Sequence, residues 1–324
     1  MPRSSRATAR RKSSCDNASD LMVYEKYESS DFEKLIEVGK QSYTVLKEVG
    51  SHIKPGVRLV DIAKEVEAQL KEKNLTCSFP VNISANDNAA HYTPSFNDPR
   101  VFSDGDVVKL DIGGRSADYL SVLVITVDLS GEHGKLVEAS EKALENAISI
   151  VKAGRKVSEI GKEINSTYAK YGINPIKNLG GHGIAKGELH AEPFIPNFDN
   201  DDDTELEEGD FIAIETFATE GEGYVIEGDY VQIFSMVREG QLRDAEHRKI
   251  MDFISKNYST YPFAMRWLTE EFGSEFKVKS ALNEMASKGM IDAYPVLVER
   301  SKGIVAQTEK SMIVERDSCT VTTE

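Results

Sequence analysis

Cysteine is scarce in this chain of 324 residues: only Cys15, Cys77 and Cys319 are present, and no two of them form a CxxC pair. An odd number of widely spaced cysteines indicates free thiols in a reducing compartment and argues against a zinc site built on cysteine. Long apolar runs are also absent. No stretch of about 18 apolar residues occurs, so we expect no membrane span. These absences are typical of a cytoplasmic protein.

Basic residues are outnumbered, with 39 Lys and Arg against 54 Asp and Glu, and the net charge is −15. A strongly acidic protein is a poor candidate for binding a phosphate backbone, so we expect no specific DNA partner. The first residues are the exception, since five cations precede any acidic residue without the apolar core of a secretory signal. We favour a disordered basic tail and lead-in over residues 1–29; contact with RNA or a ribosome and an organellar transit peptide are the alternatives. The five cations are Arg3, Arg6, Arg10, Arg11 and Lys12.

Apolar residues at helical spacing predict a helix that begins near Asp31. Residues 82–100 are rich in Asn, Asp, Pro and Ser and are predicted to form a loop. The acidic stretch 199–208 is interpreted as a solvated loop. Further helices are predicted at 136–151 and 157–168, and strands at 107–110, 120–127, 304–314 and 319–322.

Two stretches of the chain recur. Residues 54–66 resemble residues 152–164 at an offset of 98, and residues 104–111 resemble residues 208–215 at an offset of 104. Each copy of the second stretch contains a Gly-Asp turn, a mostly apolar strand and a final carboxylate. Two copies in the same order, at nearly equal offsets, indicate duplicated halves rather than a solenoid. The sequence therefore predicts a mixed α/β (α+β) fold of two pseudo-symmetric halves.

Residues 242–302 have a different pattern, with three short helical runs followed by an extended segment. This pattern predicts a helix-rich insert that resembles a winged helix. The main domain would then comprise residues 30–241 and 303–324.

Three carboxylates and one histidine occupy unusual positions. Asp111 and Glu215 follow apolar strands, Glu309 lies near the end of a predicted strand, and His182 lies in a glycine-rich turn. A carboxylate at the end of a buried strand must be paired, hydrogen-bonded or metal-bound, because burying it alone is costly. Three carboxylates and one imidazole suit Mn, Fe, Co or Zn. Salt bridges with nearby lysines are the alternative interpretation.

Several ordered motifs resemble those of the type II methionine aminopeptidases, especially the archaeal branch, over residues 31–324. This resemblance implies the pita-bread fold, in which two pseudo-symmetric α/β halves surround a site for two divalent metal ions. It also implies a monomer that acts on the N-termini of nascent polypeptides. The matching stretches are Phe79–Ser84, Ala89–Pro94, Lys109–Gly113, Gly181–Ile184, Leu189–Ala191, Ala213–Glu215, Phe217–Thr219, Tyr261–Leu268, Gly303–Gln307 and Val321–Glu324.

The resemblance assigns a role to each matching residue. It implies that the metal ligands are Asp111, His182, Glu215 and Glu309, with Glu309 bridging both metals. His91 and His190 would contact the substrate or stabilise the tetrahedral intermediate, Glu215 would also move a proton, and Phe79 would line the methionine pocket.

The chain departs from the family pattern at one expected ligand. The family has a second, bridging aspartate eleven residues after the first, and the same count from Asp111 reaches Val122. A site with three protein ligands is sufficient for catalysis. We therefore expect one tightly held metal at His182, Glu215 and Glu309 and a weak or absent second one. Lys310, next to Glu309, is expected to weaken metal binding further. Thr216, Glu192 and Thr308 are further departures.

Two functions from different classes fit these residues. The first is a metal-dependent aminopeptidase that removes the initiator methionine from nascent proteins. The second is a catalytically impaired relative that binds a ribosome, RNA or a protein, as the proliferation-associated members of this fold do. Val122, Thr216 and Lys310 favour the second, whereas the retained ligands and His91 favour the first. A third hypothesis, an Xaa-Pro peptidase, is disfavoured by the insert and by the motif around His91.

Overall fold

The computed structural model describes residues 25–324. The basic tail predicted for residues 1–29 therefore lies largely outside the described residues. Within residues 25–324, no helix combines the length and the apolar character needed to cross a membrane.

From residue 25 onward, the first half of the chain contains a short 3-10 helix (Ser29–Asp31), two α-helices and seven strands. These are α1 (Phe32–Gly50), α2 (Leu59–Glu72), β1 (Thr76–Cys77), β2 (Asn82–Ala85), β3 (Asn88–Ala90), β4 (Val107–Ile112), β5 (Gly114–Ser116), β6 (Tyr119–Leu120) and β7 (Leu123–Asp128). The second half has α3 (Gly134–Ile150), α4 (Val157–Tyr171), β8 (Asn174–Pro175), β9 (Gly180–Ala185), β10 (Glu188–Pro196), β11 (Phe211–Thr219) and β12 (Val225–Met236).

The last third contains α5 (Ala245–Tyr258), β13 (Phe263–Ala264), α6 (Met265–Phe272), α7 (Glu275–Ser287), β14 (Ile291–Glu299), β15 (Val305–Val314) and β16 (Cys319–Val321). Helices α5 to α7 share one core with β12 and β14, which includes Phe234, Ile254 and Leu282. The three helices and the following strand match the predicted order. The division into a main domain and an insert stays a prediction.

A nine-stranded sheet forms the centre of the protein, with seven strands in the order β10-β9-β11-β15-β7-β4-β2, to which β16 and β8 are added. Helices α1 and α2 pack on the β4 side through residues such as Leu46 and Ile62. Helices α3 and α4 pack on the β11 side through residues such as Leu144 and Ile160. A four-stranded sheet, β13-β12-β14-β3, lies beside this arrangement. Residues of this sheet and of the central sheet line one common cavity.

The predicted duplication is confirmed by equivalent elements and contacts. Helices α2 and α4 begin 98 residues apart, and β4 and β11 begin 104 residues apart, as in the sequence repeats. In the first half Gly56 N–H donates to Phe102 O, and in the second half Gly154 N–H donates to Leu206 O, both at 2.8 Å. Both glycines adopt positive φ, which glycine allows without steric cost.

Three local predictions are wrong. Residues 82–100 are not all loop, because β2 pairs with β4 and β3 pairs with β14. The strand predicted at 120–127 is two strands, β6 and β7, separated by Ser121 and Val122. His182 lies within β9 rather than in a turn. In each case pairing with strands distant in sequence determines the backbone, which local composition does not reveal.

Candidate functional site

A row of paired residues crosses five neighbouring strands of the central sheet. Asn82 pairs with Asp111, Asp111 with Val124, Val124 with Glu309, and Glu309 with Glu215. Directly paired residues point to the same face, so the carboxylates share one side of the sheet. They lie within strands rather than at strand ends, which corrects the interpretation for Asp111, Glu215 and Glu309. Adjacent strands are about 4.8 Å apart, so Glu215 and Glu309 are close, whereas Asp111 lies two strand spacings from Glu309.

His182 joins this row through β9, where it pairs with Ala213, two residues before Glu215. The flanking glycines make this close approach feasible. A Cβ on Gly181 would lie 2.2 Å from Ala213 O, and a Cβ on Gly183 would lie 2.1 Å from Glu192 O. Gly181 and Gly183, which flank His182 in the sequence, therefore allow the neighbouring strands to pack tightly around the histidine.

Three side chains form a candidate metal site among the described residues: the ligand atoms of His182, Glu215 and Glu309 all lie within 4.8 Å of one another. His182 Nδ1 donates to Gly183 O at 2.9 Å, which directs Nε2 toward the carboxylates, 3.3 Å from Glu215 Oε1. Gln307 Nε2 donates to Glu215 Oε2 at 3.1 Å and fixes that carboxylate. One imidazole oriented by a backbone carbonyl and two carboxylates fit a divalent cation.

The charges of the carboxylates support the same fit. Burial, followed by repulsion from Glu215 and Asp111, raises the pKa of Glu309 well above its usual range. Burial also raises the pKa of Asp111 to about 7, although a hydrogen bond from Asn82 opposes the shift. A cation placed among these groups would relieve both effects.

Salt bridges to lysines do not explain the carboxylates. In residues 25–324 no Lys or Arg side chain lies within ion-pair distance of Asp111, Glu215 or Glu309. The sequence neighbours of these acids point elsewhere: Lys109 Nζ donates to Asn86 O, and Lys310 Nζ pairs with Glu324 at 3.0 Å. The Lys310 charge is thus directed to Glu324, and its effect on metal binding stays a prediction.

The site opens into a cavity of about 330 Å³. Phe79, His91, Asp111 and His190 all line it, as does Val122, which is 2% exposed. Asp111, the fourth proposed ligand, does not belong to the group formed by His182, Glu215 and Glu309. The structure thus places all the proposed metal ligands and substrate-contacting residues around one cavity; their individual roles stay predictions.

Two further histidines face this cavity. The His190 ring lies 4.5 Å from the His182 ring, centroid to centroid. His91 adopts φ +65°, an unusual conformation for a non-glycine residue, and its Nδ1 donates to Pro295 O at 3.3 Å. Burial lowers the pKa of His91. Burial, and then the neighbouring His182 and His91, lowers the pKa of His190 well below its usual range. Both rings are therefore neutral at pH 7.

Sequence reasoning missed several residues of the site. Asn82 and Gln307 hold the carboxylates of Asp111 and Glu215. Each is a polar residue inside an apolar stretch, and this signal could have identified them. Ile233 and Tyr294 enter the cavity from the four-stranded sheet, and no local pattern marks them.

Two departures from the family pattern contact each other. Thr216 and Thr308 are paired across β11 and β15, and Thr216 Oγ1 lies 3.0 Å from Thr308 O. Ser140 of α3 donates to Thr216 O at 2.8 Å and lies 2.9 Å from Thr308 Oγ1. These three hydroxyls form one hydrogen-bonded cluster, in which Ser140 and Thr216 are buried and Thr308 is partly buried.

Comparison with known proteins identifies the family of this chain. Residues 33–241 match the model of metallopeptidase family M24. A methionine aminopeptidase of Archaeoglobus fulgidus is 42% identical over 90% of this chain and 98% of its own length. The chain belongs to metallopeptidase family M24, and within it to the methionine aminopeptidases.

Solved structures resemble the fold at lower identity. A methionine aminopeptidase from Thermotoga maritima superposes with a TM-score of 0.68 at 21% identity, covering 93% of this chain and 100% of that one. A thermophilic Arx1 superposes with a TM-score of 0.79 at 18% identity, covering 91% of each chain. The protein has the pita-bread fold, as predicted.

Proposed function

We propose that this protein is a metal-dependent aminopeptidase that removes the initiator methionine from nascent proteins. The observation that carries the proposal is the cluster of His182, Glu215 and Glu309 in a cavity whose wall includes Phe79, because it combines a cation site with an apolar side-chain pocket. The identity of about two residues in five with named methionine aminopeptidases supports the substrate. A nascent polypeptide N-terminus is the partner, and the ribosome enters only as its source.

Each residue of the site has a separate role in the proposed peptide hydrolysis. His182, Glu215 and Glu309 would hold a divalent cation (Co, Mn, Fe or Zn), which would supply Lewis acidity and a nucleophilic water at neutral pH. Glu215 accepts a proton from the attacking water at its carboxylate and later releases it to the leaving amine. His190 offers an N–H group to the oxygen that becomes negative as the carbonyl is attacked. The Nδ1–H of His91 is engaged by Pro295 O, so His91 contacts the substrate through Nε2 as an acceptor. The apolar side chain of the first residue packs against Phe79.

The test is release of methionine from a Met-Ala-Ser peptide, with Co, Mn, Fe or Zn added in turn. We expect release that a chelator abolishes and that His182→Ala reduces by at least about a hundredfold. The matched control is His247→Ala, because His247 pairs with Glu284 among α5 and α7 and lies away from the cavity. Absence of release with every metal would contradict the proposal.

A second candidate is a silent relative that binds a ribosome, RNA or a protein. One observation favours it: the cavity wall has the apolar Val122 where the family pattern has a ligand. This candidate gains support if the native protein releases no methionine and the Val122→Asp variant releases it in the same assay.

A further inference from the structure

Asn82 and Asp111 form a small polar wall in the cavity. Asn82 Nδ2 donates to Asp111 Oδ2 at 2.9 Å, which fixes the orientation of both side chains. The other two oxygens, Asn82 Oδ1 and Asp111 Oδ1, are buried and accept no hydrogen bond from any residue in 25–324. A buried acceptor without a donor is costly, particularly when it belongs to a carboxylate. The wall is therefore suited to a ligand that brings hydrogen-bond donors.

A second divalent cation is a poor match for this wall. Catalytic metal sites of this kind take three protein ligands. Strand β7 lies between Asp111 and Glu309 and carries Val124 in the paired row, and Val122, which precedes β7, lies in the cavity wall. Neither valine has a ligand atom. A cation at the wall would find one carboxylate and one amide oxygen, without a bridging carboxylate to connect it to the three-ligand site.

The negative charge of the cavity favours a ligand that carries one positive charge and hydrogen-bond donors. Four carboxylates line the cavity: Glu192 is exposed, whereas Asp111, Glu215 and Glu309 are buried or half-buried. One divalent cation at the three-ligand site balances two of the three enclosed charges and leaves one. An ammonium group supplies the remaining positive charge together with three N–H donors. The two acceptor oxygens of the wall can accept two of these donors, and the carboxylate of Asp111 matches the charge of the group.

We propose that Asp111, with Asn82, is the receptor for the α-ammonium group of the substrate rather than a metal ligand. This inference rests on the proposed aminopeptidase function. In a peptide the ammonium nitrogen is separated from the first carbonyl carbon by only two bonds, of about 1.46 and 1.52 Å. Anchoring the nitrogen at Asp111 brings the first carbonyl toward Glu215 and Glu309 and keeps later carbonyls away. The wall thus restricts cleavage to the first residue.

The experiment compares two ligands that differ only in the ammonium group. Binding of L-methionine and of its desamino analogue, 4-methylsulfanylbutanoate, to the Mn-loaded full chain is measured by calorimetry. We expect methionine to bind at least about tenfold more tightly, the effect of one hydrogen-bonded charge. Asp111→Asn should remove this preference, weaken methionine binding about tenfold or more, and leave one Mn per chain by elemental analysis. Asn82→Ala is a second variant and should reduce the preference to a smaller extent.

The outcomes separate the two proposals. Equal affinity of the native protein for both ligands overturns the receptor assignment while the aminopeptidase function stands. Loss of bound Mn in Asp111→Asn also overturns it, because Asp111 would then be a metal ligand. If neither ligand binds to the native protein and no methionine is released from peptides, the proposed function itself fails.

Discussion

Arg266 and Glu67 form a two-pronged ion pair that joins α6 to α2. Arg266 Nη1 and Nη2 donate to the two oxygens of Glu67 at 3.0 and 2.7 Å, and the Arg266 side chain is 0% exposed. Trp267 Nε1 adds a third hydrogen bond to the same carboxylate at 2.8 Å. This contact connects the helices of the last third to the first half of the protein.

Removal of Glu67 should be strongly destabilising. Glu67→Ala leaves the buried guanidinium of Arg266 without its counter-charge, and we expect the free energy of unfolding to fall by about 3 to 5 kcal/mol. The matched control is Glu270→Ala, because Lys64 and Glu270 join the same two helices at 2.8 Å but are 48% and 37% exposed. Its cost should be no more than about 1 kcal/mol. Chemical denaturation measures both, and equal losses would contradict the role of burial.

The sequence predicted the fold further than it predicted the site. The repeats identified α2 with α4 and β4 with β11, because hydrophobic periodicity and turn residues are local signals. The row of paired residues from Asp111 to Glu215 could not be predicted from such local signals. It depends on β15, from the end of the chain, lying between β7 of the first half and β11 of the second. The role of Asn82 could not be predicted for the same reason, because β2, the strand that contains it, is defined by its pairing with β4 and not by a local pattern.

The environment of Glu299 predicts how the stability of the protein depends on pH. Its carboxylate is 0% exposed and accepts hydrogen bonds from the backbone N–H groups of Gly223, Ser301 and Gly303 and from the Ser301 hydroxyl. Burial opposes ionisation of Glu299, but the hydrogen bonds from Gly303, Ser301 and Gly223 outweigh it and hold its pKa below the usual value of 4.5. A lowered pKa in the folded state means that this stabilisation is present above pH 4.5 and is lost as the pH falls through the lowered pKa.

The matching variant is Glu299→Gln. At pH 7 we expect it to reduce the free energy of unfolding by about 2 to 3 kcal/mol, because an amide group would face N–H donors. The difference from the native protein should shrink as the pH falls below about 4.5. Urea denaturation at a series of pH values measures it. A difference that stays constant down to pH 3 would show that the charge of Glu299 contributes nothing.

The hydroxyl cluster of Thr216, Thr308 and Ser140 predicts a second stability effect. Thr216→Val keeps the shape of the side chain but removes the hydroxyl that lies 3.0 Å from Thr308 O and from Ser140 O. We expect a loss of about 1 to 3 kcal/mol, the cost of leaving buried groups without a partner. Thr44→Val is the control, because its hydroxyl donates to Lys40 O on an exposed face of α1 and should change stability by less than about 0.5 kcal/mol. Thermal unfolding of the metal-free variants compares them.

We expect Val122 to limit the number of cations that the cavity holds. Since Val122 lines the same cavity as Asp111 and contributes no ligand atom, we expect one tightly bound divalent cation in the native protein, detected by calorimetric titration and elemental analysis. Val122→Asp would add a carboxylate to the wall of the cavity that contains Asp111 and the three-ligand site. The metal-free variant should be less stable, because the new carboxylate is buried without a partner.

Added cation should restore the stability of Val122→Asp and raise the count to two per chain, since a ligand that binds only the folded state stabilises it. Leu123→Asp is the matched control: it also buries a carboxylate, next to Val122 in the chain, but in the core formed with α1 and α2 and away from the cavity wall. It should be destabilised without rescue by cation. Two tight cations in the native protein would refute the single-metal site, and rescue of both variants would show that the position of the carboxylate is irrelevant. The contrast between Val122 and Leu123 therefore tests whether the number of metals depends on one side chain in the cavity wall.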